Sequence, residues 1–441
     1  MTLHTSNAIT TRVHTTELSA HIGERVRIEG WLHALRRLGG VSFVVVRDGW
    51  GLAQAVVGEA ALAALEGVGV ESVIAVEGMA VVEAQAPGGV ELREPTVDVL
   101  VPVTEPPPLS LNKRDLKATL STQLDNGVLA ARHPKQRSMF RMSAGVMRAY
   151  REILTAEGFT EVQTPKLVAS ATESGANVFK LDYFGRPAYL AQSPQLYKQV
   201  LTGVFERVFE VGPVFRAEPH DTTRHLSEYV SLDMEMAFIQ DHRTVMGVLT
   251  KVIRGILAAL AERHAEDLAR WEVTMPSAPA EFPSIYFPDA QQLIYERHGV
   301  DVRGEPDLSP QDERWLGEWA RETYGSDFLF VTGYPMSKRP FYTHPNPADP
   351  RYSNSFDLLF RGTELVTGGQ RLHLYEDYLA ALERARLSPA PFEWYLEAFK
   401  YGMAPHGGFA IGLERLLTQL TGVGNVRLAT LFPRDLHRLT P

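Results

Sequence analysis

The residues best suited to chemistry fall in two short stretches. The first is Phe215-Arg216-Ala217-Glu218, followed by Thr223-Arg224-His225. Two guanidinium groups and an imidazole in a turn between strands can grip an anionic ligand. Arginine suits phosphate because its planar fork donates two parallel charged hydrogen bonds. Glu218 can accept from an adenine amino group or pair with a neighbouring arginine. Taken alone, such a loop is more often a surface ion-pair cluster. The second stretch is Gly407-Gly408-Phe409-Ala410-Ile411-Gly412-Leu413-Glu414-Arg415. Its small residues let backbone approach a ligand closely. Arg415, early in a following helix, can stack on a flat base and still face phosphate. The plain alternative is a glycine-rich turn with a helical Glu-Arg pair.

Both stretches sit in a mixed α/β region that begins near Ser138. Helical periodicity over Met139–Glu157 stops at Gly158, and Glu161-Val162 leads into Thr164-Pro165. Strand patterns at Glu206–Phe215 and Val230–Phe238 flank the polar loop Arg216–Tyr229, and helices follow to about Ala265. Strand-like runs recur at Phe328–Thr332, Ser355–Phe360 and Glu364–Thr367, and Gly407–Ile411 leads into a helix over Gly412–Thr421. Strands separated by long helical inserts imply an antiparallel sheet flanked by helices, not regular βαβ winding.

Upstream the pattern is different. Arg25–Leu32, Ser42–Arg47 and Leu52–Val57 are β-rich, a short helix covers Glu59–Glu66, and strand runs follow at Ser72–Ala84 and Glu91–Val101. Three strands, a helix and two strands is the order of an OB-fold, a small barrel that often binds oligonucleotides; another small β-barrel with no RNA role has a similar outline. Three successive prolines end the strand pattern at Pro106–Pro108, since proline cannot donate to a ladder. Residues 109–137 are locally basic, through Lys113, Arg114, Lys117, Arg132, Lys135 and Arg137. The expected fold class is α+β: a barrel over residues 1–104, a hinge over 105–137 and a larger domain over 138–441.

Bulk composition narrows the function classes. The chain has 441 residues and no cysteine, which excludes disulfides, thiolate zinc sites and cysteine nucleophiles. A net charge of −9 argues against a protein coated in nucleic acid, but screening leaves a local basic surface free to act. No apolar leader follows Met1 and no long uncharged apolar run is evident, so a cytoplasmic protein without a membrane span is expected.

Read together, the motifs resemble the catalytic domain of class II aminoacyl-tRNA synthetases. Gly158-Phe159-Thr160-Glu161-Val162 through Thr164-Pro165 looks like motif 1, Phe215–Glu218 through Asp233-Met234-Glu235 like motif 2, and Gly408–Arg415 like motif 3. With the barrel, the resemblance covers nearly the whole chain. It points to the subclass of aspartate, asparagine and lysine enzymes. Within it the archaeal-type aspartate group is nearest, through Ala191-Gln192-Ser193-Pro194-Gln195-Leu196-Tyr197-Lys198-Gln199 and Thr367-Gly368-Gly369-Gln370-Arg371.

That resemblance implies a substrate set of ATP, L-aspartate and tRNA, and a homodimer built through motif 1. Lys198 and Arg371 can supply positive charge for the aspartate side chain, while Asp233, Glu173 and Gln195 hold the ammonium and its neighbours. Arg216 stabilises the α-phosphate and touches the amino acid; Arg224, His225 and Arg415 hold the outer phosphates; Tyr229 and Arg415 sandwich adenine; Glu218, Leu226, Glu364 and Gly412 complete the ATP site. Glu364, Thr367 and Asp357 are the expected Mg²⁺ ligands. Thr367 stands where members often carry serine. The loop Ala171–Val178 resembles one that closes over the amino acid, with Glu-Ser-Gly in place of a common Glu-Gly-Gly.

In the barrel, Phe43 is expected to stack an anticodon base, with Arg36 and Gln54 reading base edges. His33 and Pro87 match members that charge both tRNA(Asp) and tRNA(Asn). The rivals are an asparaginyl-tRNA synthetase and a non-catalytic synthetase-like RNA-binding protein. His21-Ile22-Gly23-Glu24 and Met336-Ser337-Lys338 echo class I signatures, but the first lacks the preceding strand that a Rossmann unit requires.

Overall fold

The computed structural model describes residues 12–169 and 177–441. Two compact units divide the chain, Met1–Pro134 and Lys135–Pro441, so the basic segment before Pro134 belongs to the first.

The first unit is a closed barrel of β1 (Arg25–Leu38), β2 (Val41–Arg47), β3 (Leu52–Val57), β4 (Val73–Val82) and β5 (Val90–Val101), in the order β1-β2-β3-β5-β4. Helix α1 (Glu59–Ala64) joins β3 to β4. Alternation makes the barrel: Val26, Ile28, Val44, Val46, Ala53, Ala55, Ile74 and Val76 fill one core, as period-2 patterning requires. β1 runs further than its pattern suggests, as far as Leu38, and bulges between Leu32 and Ala34. Gly30 is needed there, because a Cβ would lie 2.4 Å from the Arg47 carbonyl oxygen.

Arg47 is the largest fully buried side chain of this unit. Its guanidinium meets Glu71 at 2.6 Å and the Arg132 carbonyl at 2.8 Å, with Arg132 3.3 Å from the same carboxylate. Arg47 and Arg132 also stand over the Trp31 ring, at 5.1 and 5.6 Å. The segment after the prolines is thus fastened to the barrel by a buried charged contact.

In the second unit, β6 (Thr160–Glu161), β7 (Arg207–Phe215), β8 (Glu228–Ala237), β9 (Ser284–Tyr286), β10 (Phe328–Thr332), β11 (Ser355–Phe360), β12 (Glu364–Gln370) and β13 (His406–Gly412) form one sheet in the order β9-β10-β11-β12-β13-β8-β7-β6. The six central strands are antiparallel, as the pattern implied, but both edges pair in parallel, β9 with β10 and β6 with β7. The sheet is therefore mixed.

One face of this sheet is apolar. Phe209, Val211, Leu232, Met234, Phe409, Ile411, Val366 and Leu358 join α2 (Pro134–Ala156) and α4 (His242–Arg263) in the main core. Helix α2 ends just before Gly158, whose φ of +80° turns the chain into β6. Helix α4 is long and apolar enough by composition to cross a membrane, although Lys251 and Arg254 keep it from being an uncharged run. Val245, Leu249, Val252, Ile253, Ile256 and Leu260 of this helix pack into the core.

The other face carries α3 (Gln195–Phe205), α6 (Tyr375–Arg384) and α7 (Glu393–Lys400), and α5 (Pro310–Tyr324) packs nearer β10 and β11; α8 (Leu413–Thr421), at the end of β13, sends Leu413, Leu416, Leu417 and Leu420 into the main core.

Removing one partner of a buried pair leaves an uncompensated charge and costs about 3–5 kcal/mol. Glu71→Gln is therefore expected to lower the local stability of the barrel on that scale. Hydrogen exchange of the β1 and β4 amides in the full chain reads it; unchanged protection would refute this account of Arg47.

Candidate active site

Strand register builds the site. Glu210 of β7 faces Asp233 of β8, Asp233 faces Ala410 of β13, Ala410 faces Thr367 of β12, and Thr367 faces Asp357 of β11. Facing residues point to the same side of a sheet, and so do residues two apart along each strand. Ser231 and Glu235 flank Asp233, opposite Gly412 and Gly408. The polar face is thus a row of carboxylates and hydroxyls with small residues between them.

Within the glycine-rich run, Gly412 lines a cavity, while Gly408 serves the packing of the sheet. A Cβ on Gly408 would lie 2.1 Å from the Met234 carbonyl oxygen and 2.2 Å from Glu235 Oε2. Gly408 therefore makes room for the Glu235 side chain.

Glu235 is fully buried and shared by two cations. Arg371 approaches it with Nε at 2.9 Å and Nη2 at 3.4 Å, and Lys198 Nζ lies 3.5 Å away. Lys198 also donates to Asp233 Oδ1 at 2.8 Å and to the Phe409 carbonyl at 3.1 Å, while the Ser231 hydroxyl meets the other Asp233 oxygen at 2.5 Å. Burial works against ionisation of Glu235, but the Arg371 and Lys198 charges outweigh it and hold its pKa below the usual carboxylate value. The same carboxylate raises the pKa of Arg371 against its burial. Sequence reasoning singled out Lys198, Arg371 and Asp233 but gave Glu235 no role, although Ser231-x-Asp233-x-Glu235 in a strand already signalled one face.

Beside this cluster opens a cavity of about 250 Å³. Arg216, Glu218, Arg224, His225, Leu226, Tyr229, Glu364, Gly412 and Arg415 all line it, with Ser231, Thr367 and Glu414. Nine residues scattered over the sequence thus face one space. The Arg216 guanidinium lies over the Tyr229 ring at 5.9 Å. Arg415 Nη1 is 3.3 Å from Glu364 Oε1. Partial burial lowers the pKa of His225, with Arg415 and Arg216 acting in the same direction against Glu218; its Nδ1 is 2.6 Å from the Thr222 hydroxyl. Ser231 belongs to both the cavity lining and the Asp233 contact, so the cavity and the charge cluster adjoin.

The carboxylates at the cavity edge fit a hard divalent cation. Loss of water raises the pKa of Glu364, and the Asp357 charge adds to it. The Thr367 hydroxyl is 3.5 Å from Glu364 Oε1. One oxygen of Asp357 already accepts from Arg339 at 3.0 Å. Among the described residues no three acidic or imidazole side chains form a metal cluster. The protein therefore offers a partial set of oxygens, the kind that Mg²⁺ completes with phosphate.

Elsewhere, Arg36, Phe43 and Gln54 lie on neighbouring strands: Arg36 faces Phe43, and Gln54 faces Val45, two residues on from Phe43. All three share the outer side of the barrel, with Gln54 bound to Glu91 at 3.0 Å. His33 is buried at the β1 bulge, and Pro87 opens a short turn before β5. Glu173, with most of the loop Ala171–Val178, lies outside the described residues.

Comparison with known proteins agrees with this geometry. Residues 119–436 match the family of class II tRNA synthetases (D, K and N), and residues 26–100 match the OB-fold nucleic acid binding domain. The chain is 46% identical over 435 residues to the aspartate–tRNA(Asp/Asn) ligase of Deinococcus radiodurans, covering 98% of this chain and 99% of that one. It is 38% identical over 445 residues to the aspartate–tRNA(Asp) ligase of Pyrococcus horikoshii, covering 99% of each. The crystal structure of asparaginyl-tRNA synthetase from Pyrococcus horikoshii, complexed with asparaginyl-adenylate, matches with a TM-score of 0.91 at 32% identity, over 98% of this chain and 100% of that one.

Glu414 offers a pH test of the site. It is buried, accepts from the Val230 amide at 3.1 Å, and burial pushes its pKa up to about 7. A raised carboxyl pKa is a stability loss that sets in above the unfolded value and is complete above the folded one. Between about pH 5 and about pH 8, Glu414→Gln should gain on the parent by on the order of 3 kcal/mol. Thermal midpoints of both proteins at the two pH values check this; a pH-independent difference would contradict it.

Proposed function

The chain is an aminoacyl-tRNA ligase belonging to the class II tRNA synthetases of the D, K and N family, and from that membership we propose that it activates L-aspartate with ATP and transfers it to the 3′ end of tRNA(Asp) and of tRNA(Asn). The observation that carries the choice of aspartate is the sharing of Glu235 by Lys198 and Arg371.

Charge counting supports it. With aspartate bound and its α-carboxylate set against Arg216, the cations Lys198 and Arg371 and the substrate ammonium stand against Asp233, Glu235 and the substrate side-chain carboxylate, three charges of each sign. Asparagine leaves one buried positive charge without a partner. Buried cations without a partner are heavily penalised, so the pocket selects the acid over its amide. Gln195 and Asp233 receive the ammonium, with Glu173 as a third candidate.

The α-carboxylate of aspartate attacks the α-phosphorus of ATP, and pyrophosphate leaves. Arg216 neutralises charge that develops on the α-phosphate, a fixed electrostatic contribution that needs no protein nucleophile. Arg224, His225 and Arg415 hold the outer phosphates. Tyr229 and Arg415 take the adenine faces, Glu218 its amino group, and Leu226 and Gly412 complete the nucleotide wall. Glu364, Thr367 and Asp357 would hold Mg²⁺, which would supply positive charge to offset that of the phosphates. The terminal ribose 3′-hydroxyl of the tRNA then attacks the aspartyl-adenylate carbonyl and AMP departs. In the barrel Phe43 stacks an anticodon base, a contact worth about 1–3 kcal/mol, and Arg36 and Gln54 contact base edges. His33 and Pro87 admit both tRNAs. The enzyme works in the cytoplasm as a dimer through the edge that carries β6.

Pyrophosphate exchange driven by aspartate and not by asparagine is the expected outcome; the reverse makes the chain an asparagine enzyme, and background exchange with both makes it a non-catalytic relative. Lys198→Met should lower kcat/KM for aspartate on the order of a hundredfold, with the KM for ATP little changed. Purified tRNA(Asp) and tRNA(Asn) should both be charged with labelled aspartate; charging of the first alone would remove the dual specificity.

A further inference from the structure

Behind the amino-acid pocket runs a buried chain of polar side chains that none of the roles above uses. His406, fully buried at the start of β13, places Nδ1 2.9 Å from the Ala404 carbonyl oxygen. A carbonyl has no proton to give, so Nδ1 carries the hydrogen. Burial pushes the pKa of His406 down to about 4, which leaves Nε2 as a bare acceptor at neutral pH.

Gln199 Nε2 lies 3.1 Å from His406 Nε2 and 3.1 Å from the Tyr378 hydroxyl. That hydroxyl donates to the Leu372 carbonyl at 2.8 Å and accepts from Tyr395 at 2.8 Å. Turning the Gln199 amide over would set its oxygen against two groups with no proton to offer. The Gln199 amide therefore has one permitted orientation, with Oε1 facing Gln195. An oxygen can only accept, so Gln195 must present its NH₂ there, at 3.0 Å. No described residue donates to Gln195 Oε1.

We propose that His406, locked in one tautomer, is a positioning residue that acts through Gln199 to turn the Gln195 carbonyl oxygen, rather than its NH₂, toward the substrate ammonium. The inference rests on the amino-acid pocket proposed above. It specifies how that pocket keeps an acceptor aimed at a cation, since an amide free to turn over would face the ammonium with its own N–H donors part of the time. The chain needs no charge of its own: each link is fixed because its partner has only one way to bond.

Gln199→Met fills the same space and gives Gln195 nothing to donate to. In pyrophosphate exchange with the full chain it should raise the KM for aspartate roughly tenfold and leave the KM for ATP unchanged. Made on a Gln195→Ala background, Gln199→Met should add nothing further. Additive effects, or no rise in the KM for aspartate, overturn the relay while leaving the pocket standing. A Gln195→Ala variant with unchanged KM for aspartate overturns the pocket role of Gln195 and the relay with it. Should Gln199→Met fail to fold, His406→Leu and His406→Gln give the same test. His406→Gln keeps an acceptor for Gln199 and should hold the KM for aspartate within about twofold of the parent, unlike His406→Leu. Equal KM values for those two variants also overturn the proposal.

Discussion

A carboxylate with no exposed surface, Glu235, holds both Arg371 and Lys198 in place, and the site is arranged around that contact. Two cations so close together repel each other unless a negative group lies between them. In a buried setting that repulsion is barely screened. Glu235 supplies the negative group and Gly408 the room for it. Asp233 then takes the remaining face of Lys198, and Ser231 takes the remaining oxygen of Asp233. Each group in the row has its place because the previous one is satisfied.

The sheet makes such a row possible by dividing its faces. Alternate residues of β7, β8, β12 and β13 enter a large apolar core with α2 and α4. On the opposite side, near the site, stand Glu210, Ser231, Asp233, Glu235, Thr367, Gly408 and Ala410. The core fixes the strands rigidly, and the polar residues inherit that precision without contributing much to stability. The arginine-lined cavity lies at the edge of this face, where the loop between β7 and β8 and the start of α8 converge. Placing Arg216, Arg224 and His225 on a loop held at both ends by central strands limits their freedom before any ligand arrives. The barrel follows the same logic on a smaller scale, with an apolar interior and Arg36, Phe43 and Gln54 on its outer side.

Much of this was legible in the residues themselves. Period-2 alternation marked β1 to β5, and proline and glycine marked their ends. Arg216, Arg224, His225 and Arg415 announced polyanion chemistry by type and spacing, and all line one cavity. Other features were out of reach. The parallel pairing at both sheet edges depends on which distant strand arrives there, and alternation carries no partner identity. The apolar run of helix α4 is broken in the sequence by Lys251 and Arg254, which the fold places on its exposed side. Glu235 and His406 escaped notice because neither side chain has an obvious role until its neighbours are known.

From its residue types and order alone, the chain determined that a β-barrel would precede a sheet with helical inserts. It also set the expectation that arginines, small residues and a lysine-bearing helix belong to a site for an anionic nucleotide and an acidic substrate. Those features depend on local preference and on chemistry that belongs to single side chains. Only the tertiary structure decided that Lys198 and Arg371 would converge on one carboxylate, and that Gln195 would be oriented through Gln199 by a histidine more than two hundred positions away. Charge sharing and hydrogen-bond direction are properties of pairs, and a pair separated this far along a chain exists only once the strands between have folded into register.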